Sequence, residues 1–356
     1  MKNAFSEDAV ARLLAWYRAN KRDLPWRKTK DPYKIWLSEI MLQQTRVEAV
    51  KPYYARFLET CPTVEDLADL PEDRLMKLWE GLGYYSRARN LQRAAKTIVE
   101  SYNGQLPSSY EALLSLSGIG EYTAGAIASI AFDIPVPAVD GNVLRVLARI
   151  VASRKDIALP ATKKAFSEGL REVIPPCAGD FNQALIELGA TVCVPNGEAR
   201  CEVCPMAEVC LAARDDLTDS IPVKSAKKPR REEKRTVLLI RDDDRTVIRK
   251  RPSKGLLAGL FELPNVEGHL TEAQAMAYVR DLGLEPIRVR RLEDSKHIFT
   301  HIEWQMIAYE VRVAADFDGF SPTEGMLLTK NLDLQKSFAI PSAFSAYKKE
   351  LLQNSY

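Results

Sequence analysis

The stretch Leu116-Ser117-Gly118-Ile119-Gly120-Glu121-Tyr122-Thr123-Ala124-Gly125, followed by an apolar run and then by Val139-Asp140-Gly141-Asn142, decides how this chain folds. Glycines at 118 and 120 permit a tight turn with φ > 0 between two helices and let backbone N–H groups approach another molecule closely. Thr123 and Ala124 open the second helix, whose N-terminal amides and dipole favour an anion. A Gly-x-Gly hairpin feeding a helix therefore suits a phosphate. Two glycines also make an ordinary helical corner, and on the hairpin alone that is the preferred reading. Asp140 shifts the balance. A helix over 123–132 is about 15 Å long at ~1.5 Å per residue, enough to lead from a phosphate toward a site beyond it.

On the N-terminal side, Val10, Leu13, Leu14 and Tyr17 repeat at helical spacing, with Ser6 as N-cap and Glu7 and Asp8 in the first turn. Leu24-Pro25-Trp26-Arg27 is an extended loop. A Trp beside an Arg can hold a flat base, or the Trp can plug a gap between helices, which the residues alone favour. The next helix carries Leu37, Ile40, Met41 and Gln44 on one stripe, with Glu39 at its margin, where a glutamate is ordinarily a solvated edge residue. Gly81-Leu82-Gly83-Tyr84-Tyr85 puts aromatics on a tight turn. Such a ring is either a wedge between base steps or half of a buried tyrosine pair. Arg87 and Arg89 follow, facing phosphates or solvent.

Beyond Asp140, Val143, Val146, Leu147 and Ile150 form another helical stripe, and Asp140-Gly141-Asn142 also fits a turn with a helix N-cap. A further helix carries Gln183 and Glu187 and ends near Gly189. Cys193, Cys201, Cys204 and Cys210 follow with the spacing C-x7-C-x2-C-x5-C. Structural zinc usually takes two close pairs, and here there is only one C-x2-C pair. The first histidine of the chain is His269, so mixed Cys/His zinc and imidazole catalysis are excluded before it.

The composition changes over 216–235, which is basic, lacks an apolar period and reads as a linker. Its cations meet DNA backbone or simply water. Then the period becomes strand-like: Thr236-Val237-Leu238-Leu239-Ile240, a turn at Asp242-Asp243-Asp244, and Thr246-Val247-Ile248 predict a hairpin. A helix over 271–282, two further strand regions and a terminal helix over 342–352 complete an α+β unit.

The chain has 356 residues with 46% hydrophobic content, enough for two or three cored domains. Its net charge of +2 means that nucleic-acid affinity must come from local charge. No run approaches the ~20 apolar residues that cross a bilayer, and the N-terminus carries no signal-peptide core. Four clustered cysteines, with Cys61 and Cys177 apart, suit a cytosolic metal site better than a disulfide framework.

Six motifs, in order, resemble the adenine-specific mismatch glycosylase family of the helix–hairpin–helix DNA glycosylases. They are Trp36-Leu37-Ser38-Glu39-Ile40-Met41-Leu42-Gln43-Gln44-Thr45, Gly81-Leu82-Gly83-Tyr84-Tyr85-Ser86, the hairpin, Pro137-Ala138-Val139-Asp140-Gly141-Asn142-Val143, the four cysteines, and Phe299-Thr300-His301. The resemblance implies an all-α helix–hairpin–helix glycosylase with a cluster loop over 1–215, a basic linker over 216–235, and a Nudix-like lesion-recognition domain over 236–356. No Arg-Glu-x-x-Glu-Glu run lies between Pro264 and Arg290, so that domain is expected to bind and not to hydrolyse.

The resemblance also implies roles. Glu39 takes the general-acid position, reversing the edge reading, and Asp140, supported by Asn142, takes the position that stabilises the sugar cation or forms a covalent sugar adduct that water resolves. Tyr122 stands near both carboxylates. Arg22, Leu24, Trp26 and Arg27 line an adenine pocket, and Gln183 faces the target base. Gln43 and Gln44 match a pair whose second member enters the base stack, and Tyr84 matches a wedge. Gly118, Gly120 and Thr123 form the DNA-backbone hairpin. Phe299, Thr300 and His301 match a Phe-Ser-His lesion loop, with threonine replacing serine. The cysteines resemble the ligands of a four-iron, four-sulfur cluster. The family's first gap is typically six residues and here it is seven, so zinc held by all four remains the alternative.

The expected reaction is release of adenine paired with 8-oxoguanine or guanine in double-stranded DNA, by a monomer in the bacterial cytoplasm at the nucleoid. Two rivals stand beside it. An endonuclease III-type pyrimidine-lesion enzyme would carry lysine where Tyr122 stands and would lack the C-terminal domain. A non-catalytic DNA scaffold would have lost a carboxylate.

Overall fold

The computed structural model describes residues 1–226, 229–314, 320 and 325–352. Lys227 and Lys228 of the expected linker, and parts of the expected C-terminal domain, lie outside them. The chain divides into two compact units. The first comprises Met1–Asp69 and Arg89–Ala226, and the second Leu70–Ala88 with the described residues from 229 onward.

The helices in chain order are α1 (Glu7–Asn20), α2 (Pro32–Leu42), α3 (Val47–Thr60), α4 (Val64–Asp69), α5 (Glu72–Leu78), α6 (Ser86–Tyr102), α7 (Tyr110–Ser115) and α8 (Glu121–Phe132). They continue with α9 (Gly141–Ile150), α10 (Pro160–Arg171), α11 (Ala178–Thr191) and α12 (Leu211–Arg214). Ser6 caps α1 as expected, its side chain accepting from the backbone N–H of Ala9. In the first unit α1, α9 and α11 share one core. Leu13, Tyr17, Val143, Leu147, Phe181, Leu185 and Leu188 pack there, joined by Ile221 from further along the chain.

Helix α8 starts at Glu121 with Gly120 as N-cap, two residues before the expected opening. Only Gly118 of the two hairpin glycines has positive φ, at 78°. A Cβ there would lie 2.6 Å from the Cβ of Asn90, so conformation and space both demand glycine. Gly120 has φ −94°, which any residue tolerates. After α8 the chain is held by the fully buried Asn182. Its amide donates to Val136 O and Ser129 Oγ at 2.9 Å and accepts from the N–H of Ala138 at 3.1 Å. This fixes the approach to Asp140.

The second unit is built on a seven-stranded sheet: β1 (Arg231–Arg241), β2 (Arg245–Lys250), β3 (Phe261–Glu262), β4 (Asn265–Glu267), β5 (Pro286–Ile298), β6 (Ile302–Val313) and β7 (Met326–Lys330). Strand order is β3-β2-β1-β6-β5, with β4 paired to β1 and β7 to β2. Strands β1 and β6 run parallel over eleven residues each, from Arg231 against Ile302 to Arg241 against Arg312. Alternation along β1 separates two cores. Val237 and Leu239 face the C-terminal segment through Phe344, Tyr347 and Leu351, whereas Leu238 and Ile240 face α13 (Glu272–Asp281) through Ala275 and Val279. Thr271 caps α13 in a full capping box with Gln274. The C-terminal segment comprises α14 (Asn331–Ser337), a 3₁₀ turn Ser342–Tyr347 and α15 (Lys348–Leu352).

The stretch 216–235 differs from the expected linker at both ends. Ile221 is buried, the N–H of Ile157 donates to Val223 O at 3.1 Å, and Ser225 bonds Asp156. Arg231 and the residues after it already belong to β1.

Candidate active site

Helices α2 and α8, the N-terminus of α9, and α11 surround a cleft of about 590 Å³ in the first unit. It is lined by Glu39, Tyr122, Asp140 and Asn142, by Arg22, Leu24, Trp26 and Arg27, and by Gln43, Gln44 and Gln183. Eleven residues expected from separate parts of the sequence thus meet in one place.

Glu39 is 8% exposed, not a solvated edge residue. Its Oε2 accepts from the Tyr122 hydroxyl at 2.8 Å. Burial drives its carboxyl up to about 7; the Tyr122 bond opposes this and the negative charge of Asp140 adds to it. At neutral pH Glu39 therefore holds a proton in a substantial share of molecules. Burial and the facing carboxylates also push the Tyr122 phenol well above its ordinary range, so it remains a donor.

Asp140 is the N-cap of α9. Its Oδ1 accepts from the N–H of Val143 at 2.8 Å and its Oδ2 from the amide of Asn142 at 2.9 Å. Burial raises this carboxyl too, against those hydrogen bonds and the charge of Arg145. The two carboxyls are thus supported differently: Glu39 by one phenol, Asp140 by a helix N-terminus and an amide.

Trp26 is buried, in edge contact with Tyr54 at 5.4 Å between ring centres, while also lining the cleft. Arg22 and Arg27 converge on Glu187, which is fully buried. Arg22 donates from Nε at 2.9 Å and Nη2 at 2.8 Å, and Arg27 from Nη2 at 2.7 Å. Burial would raise the Glu187 carboxyl, but these bonds win and hold it at about 2. Gln44, two residues past the end of α2, has a left-handed conformation, φ 57°, which strains a non-glycine residue, and its side chain is exposed at the cleft. Gln43 reaches the buried Thr123, its amide 3.3 Å from Oγ1. The Thr123 side chain is therefore committed inward, leaving backbone amides for any phosphate.

The four cysteines are free thiols lining one small cavity with Arg149. Burial raises the thiols of Cys201, Cys204 (to about 12) and Cys210, so thiolates here need a cationic partner, as bound metal supplies. Among the described residues no three Cys, His, Asp or Glu are gathered to hold a single metal ion. Arg149 donates to Cys193 Sγ at 3.2 Å, Val194 O at 3.1 Å and Ile221 O at 2.8 Å. Arg145 donates to Cys193 O at 2.8 Å, Gly189 O at 2.7 Å and Asn142 Oδ1 at 2.9 Å. A continuous chain therefore runs Asp140–Asn142–Arg145–Cys193. Four thiols on one cavity, with guanidinium donors to one sulfur and its carbonyl, fit a multi-iron cluster of thiolate ligands.

A family model described as HhH-GPD superfamily base excision DNA repair protein matches residues 37–176, and a NUDIX domain model matches residues 236–349. The adenine DNA glycosylase of Mus musculus is 36% identical over 358 residues, which cover 84% of this chain and 69% of that protein. The adenine DNA glycosylase of Homo sapiens is 34% identical, covering 95% and 72%. This chain belongs to the adenine DNA glycosylase family. A solved thermostable thymine-DNA glycosylase is also similar, with a TM-score of 0.53 and 31% identity over 58% of this chain and 95% of that one. The expectation of a helix–hairpin–helix unit followed by a Nudix-like α+β unit is borne out.

Phe299, Thr300 and His301 sit at the turn between β5 and β6, where the N–H of Phe299 donates to Ile302 O at 2.8 Å. Thr300 and His301 are exposed. Phe299 is half-buried, packing edge-on against Trp304 at 5.0 Å and His297 at 4.6 Å. In this unit Tyr84 is 45% exposed, with its hydroxyl 3.3 Å from Thr300 Oγ1, whereas Tyr85 is buried. The two rings are therefore not a buried tyrosine pair.

Sequence reasoning missed Glu187, Arg145 and Arg149 as functional residues. Their one signal was an ionisable residue inside an otherwise apolar helix, Ala184-Leu185-Ile186-Glu187-Leu188 and Val143-Leu144-Arg145-Val146-Leu147-Ala148-Arg149-Ile150. Burying such a group without partners is costly.

Proposed function

We propose that this chain removes adenine from duplex DNA where it stands opposite 8-oxoguanine or guanine, acting as a monomer by hydrolysis of the N-glycosidic bond. The observation that carries the reading is the pairing of a buried, proton-holding Glu39 with a differently supported Asp140 in a cleft lined by Trp26 and by Arg22 and Arg27, which Glu187 holds.

The base flips into the cleft, because its glycosidic bond cannot be reached inside the stack. Glu39 protonates adenine at N7. The C1′–N9 electrons then pass to a base that leaves neutral rather than as an anion. Asp140 faces the oxocarbenium ion and stabilises its charge, and water completes the hydrolysis. No lysine occupies the hairpin position of Tyr122, in keeping with chemistry that needs no Schiff base. Outside the cleft, Gly118 and Gly120 offer backbone amides to a phosphate, Gln44 enters the space left by the flipped base, and Tyr84 with the 299–301 loop reads the opposite base.

Cys193, Cys201, Cys204 and Cys210 would hold a four-iron, four-sulfur cluster, which supplies a rigid fold for their loop. Zinc held by all four cysteines is the alternative, and the metal content of the purified protein separates the two.

Base-release assays on four duplexes test the reading. Adenine should leave A·8-oxoguanine and A·G duplexes. Thymine from T·G or an oxidised pyrimidine should stay. Release of either of the latter in preference to adenine would assign the cleft to another base.

A further inference from the structure

We infer that Glu80 is a positioning residue for lesion discrimination, fastening the Tyr84 turn to the Nudix-like core so that tyrosine and 299–301 loop move as one reader. The inference rests on the proposed reading of 8-oxoguanine by that loop. It begins with the turn itself. Gly81, Gly83 and Tyr84 all have positive φ, at 101°, 70° and 46°. Its carbonyls are spoken for: Trp79 Nε1 donates to Gly83 O at 3.1 Å, and Arg87 Nη2 to Leu82 O at 3.0 Å and Gly83 O at 3.1 Å. A turn this constrained moves as a block, and its place depends on what holds its ends.

Glu80 immediately precedes the turn. Its Oε2 lies 2.6 Å from Lys77 Nζ and its Oε1 2.7 Å from Lys348 Nζ, and its side chain is only 16% exposed. Lys77 Nζ also donates to Phe338 O at 3.0 Å. Both anchors are tied to the sheet. Lys348 follows the turn carrying the core residues Phe344 and Tyr347, and Phe338 stacks edge-on with Phe261 of β3 at 4.7 Å. Lys250 of β2 adds a contact of 3.4 Å to Asp73. The turn is thus held to the core at Glu80, and its ring meets the reader at Tyr84–Thr300. Isolated exposed ion pairs contribute little. A shielded carboxylate shared by two ammonium groups on separate segments fixes geometry instead, and small misplacements of a positioning group carry large rate costs.

The test uses the full chain and the variants Glu80→Gln, Lys348→Met and the conservative Lys348→Arg, which keeps the cation. Hydrogen exchange without DNA reads the fastening: amides of 81–84 should exchange faster in Glu80→Gln and Lys348→Met, and protection should be kept in Lys348→Arg. Single-turnover adenine release reads the function. Glu80→Gln and Lys348→Met should lose several-fold in the ratio of A·8-oxoguanine to A·G rates, mostly on the 8-oxoguanine side, and Lys348→Arg should keep it. Unchanged exchange over 81–84 overturns the fastening, and faster exchange with an unchanged ratio overturns the role in discrimination. A parent chain that releases no adenine from either duplex fails the proposed function instead. Fluorescence of 2-aminopurine placed beside 8-oxoguanine then decides the inference, since it reports Tyr84 insertion without catalysis: a reduced response in Glu80→Gln and Lys348→Met upholds it and a parental response refutes it.

Discussion

The hydroxyl of Tyr122 donates to Oε2 of Glu39 across 2.8 Å, joining the helix–hairpin–helix corner to the carboxyl proposed as the proton donor. That bond favours the ionised form of Glu39 while burial favours the protonated one, and burial prevails with a value of about 7. The proposed chemistry uses the protonated carboxyl, so adenine release should fall as pH rises through about 7. Removing the phenol in Tyr122→Phe takes away an influence that lowers the Glu39 value. The alkaline limb should therefore move to higher pH even as the maximal rate drops. Single-turnover pH–rate profiles check this, and a limb that moves to lower pH contradicts it.

The carboxylate of Glu187 organises the base side of the cleft. Replacing it with Gln leaves Arg22 and Arg27 without their shared anion, and breaking one partner of a buried ion pair costs about 3–5 kcal/mol. Urea unfolding should show a loss of that order, discounted for the partial exposure of Arg22. The pH sign follows from the low value of Glu187: its contribution is present above the ordinary glutamate range and is lost as pH falls toward about 2. The stability difference between parent and Glu187→Gln should shrink on acidification.

Arg145 joins Asn142 to Cys193, donating to three acceptors. Arg145→Met should strand them, at about 1–3 kcal/mol for each buried acceptor left unsatisfied. Both thermal stability and the chemical step should suffer, because Asn142 loses its brace beside Asp140. A variant with parental stability and rate would break the proposed link between the cysteine loop and the catalytic carboxylate.

The purified protein should be yellow-brown with about four iron atoms per chain. Cys201→Ser should damage the 193–210 loop and DNA affinity before the chemical step. A colourless, fully active protein with one zinc would show that the seven-residue first gap has changed the site. At the lesion loop, Thr300→Ala should reduce the A·8-oxoguanine preference only modestly, since a neutral hydrogen bond is worth about 0.5–1.5 kcal/mol. The triple alanine variant of Phe299, Thr300 and His301 should lose far more on that duplex than on A·G.

Local signals were legible where the physics is local. Ser6 and Asp140 both cap helices, and the helix expected over 271–282 is α13. Hydrophobic period alone could not place Glu39, since a residue at the stripe margin is buried or solvated according to its neighbours across space. Glu187 and Arg145 were invisible for the same reason: their partners lie 160 to 165 and 44 to 48 residues away. Arg231 and its neighbours looked like solvated linker because a charged strand shows no apolar period. Their strand character comes from pairing with β6 some seventy residues on. Gly120 shows the limit of reading glycine as conformation, for its φ is one that any residue adopts.

The central claim is that Glu39 supplies the proton and Asp140 the counter-charge for adenine release. Single-turnover excision from an A·8-oxoguanine duplex by Glu39→Gln and Asp140→Asn, with duplex affinity measured beside it, tests it most directly. Both variants should still bind the duplex, and each should lose more than the ~10²–10⁴-fold of ordinary acid–base assistance. Substantial adenine release by either variant under saturating protein would contradict the assignment.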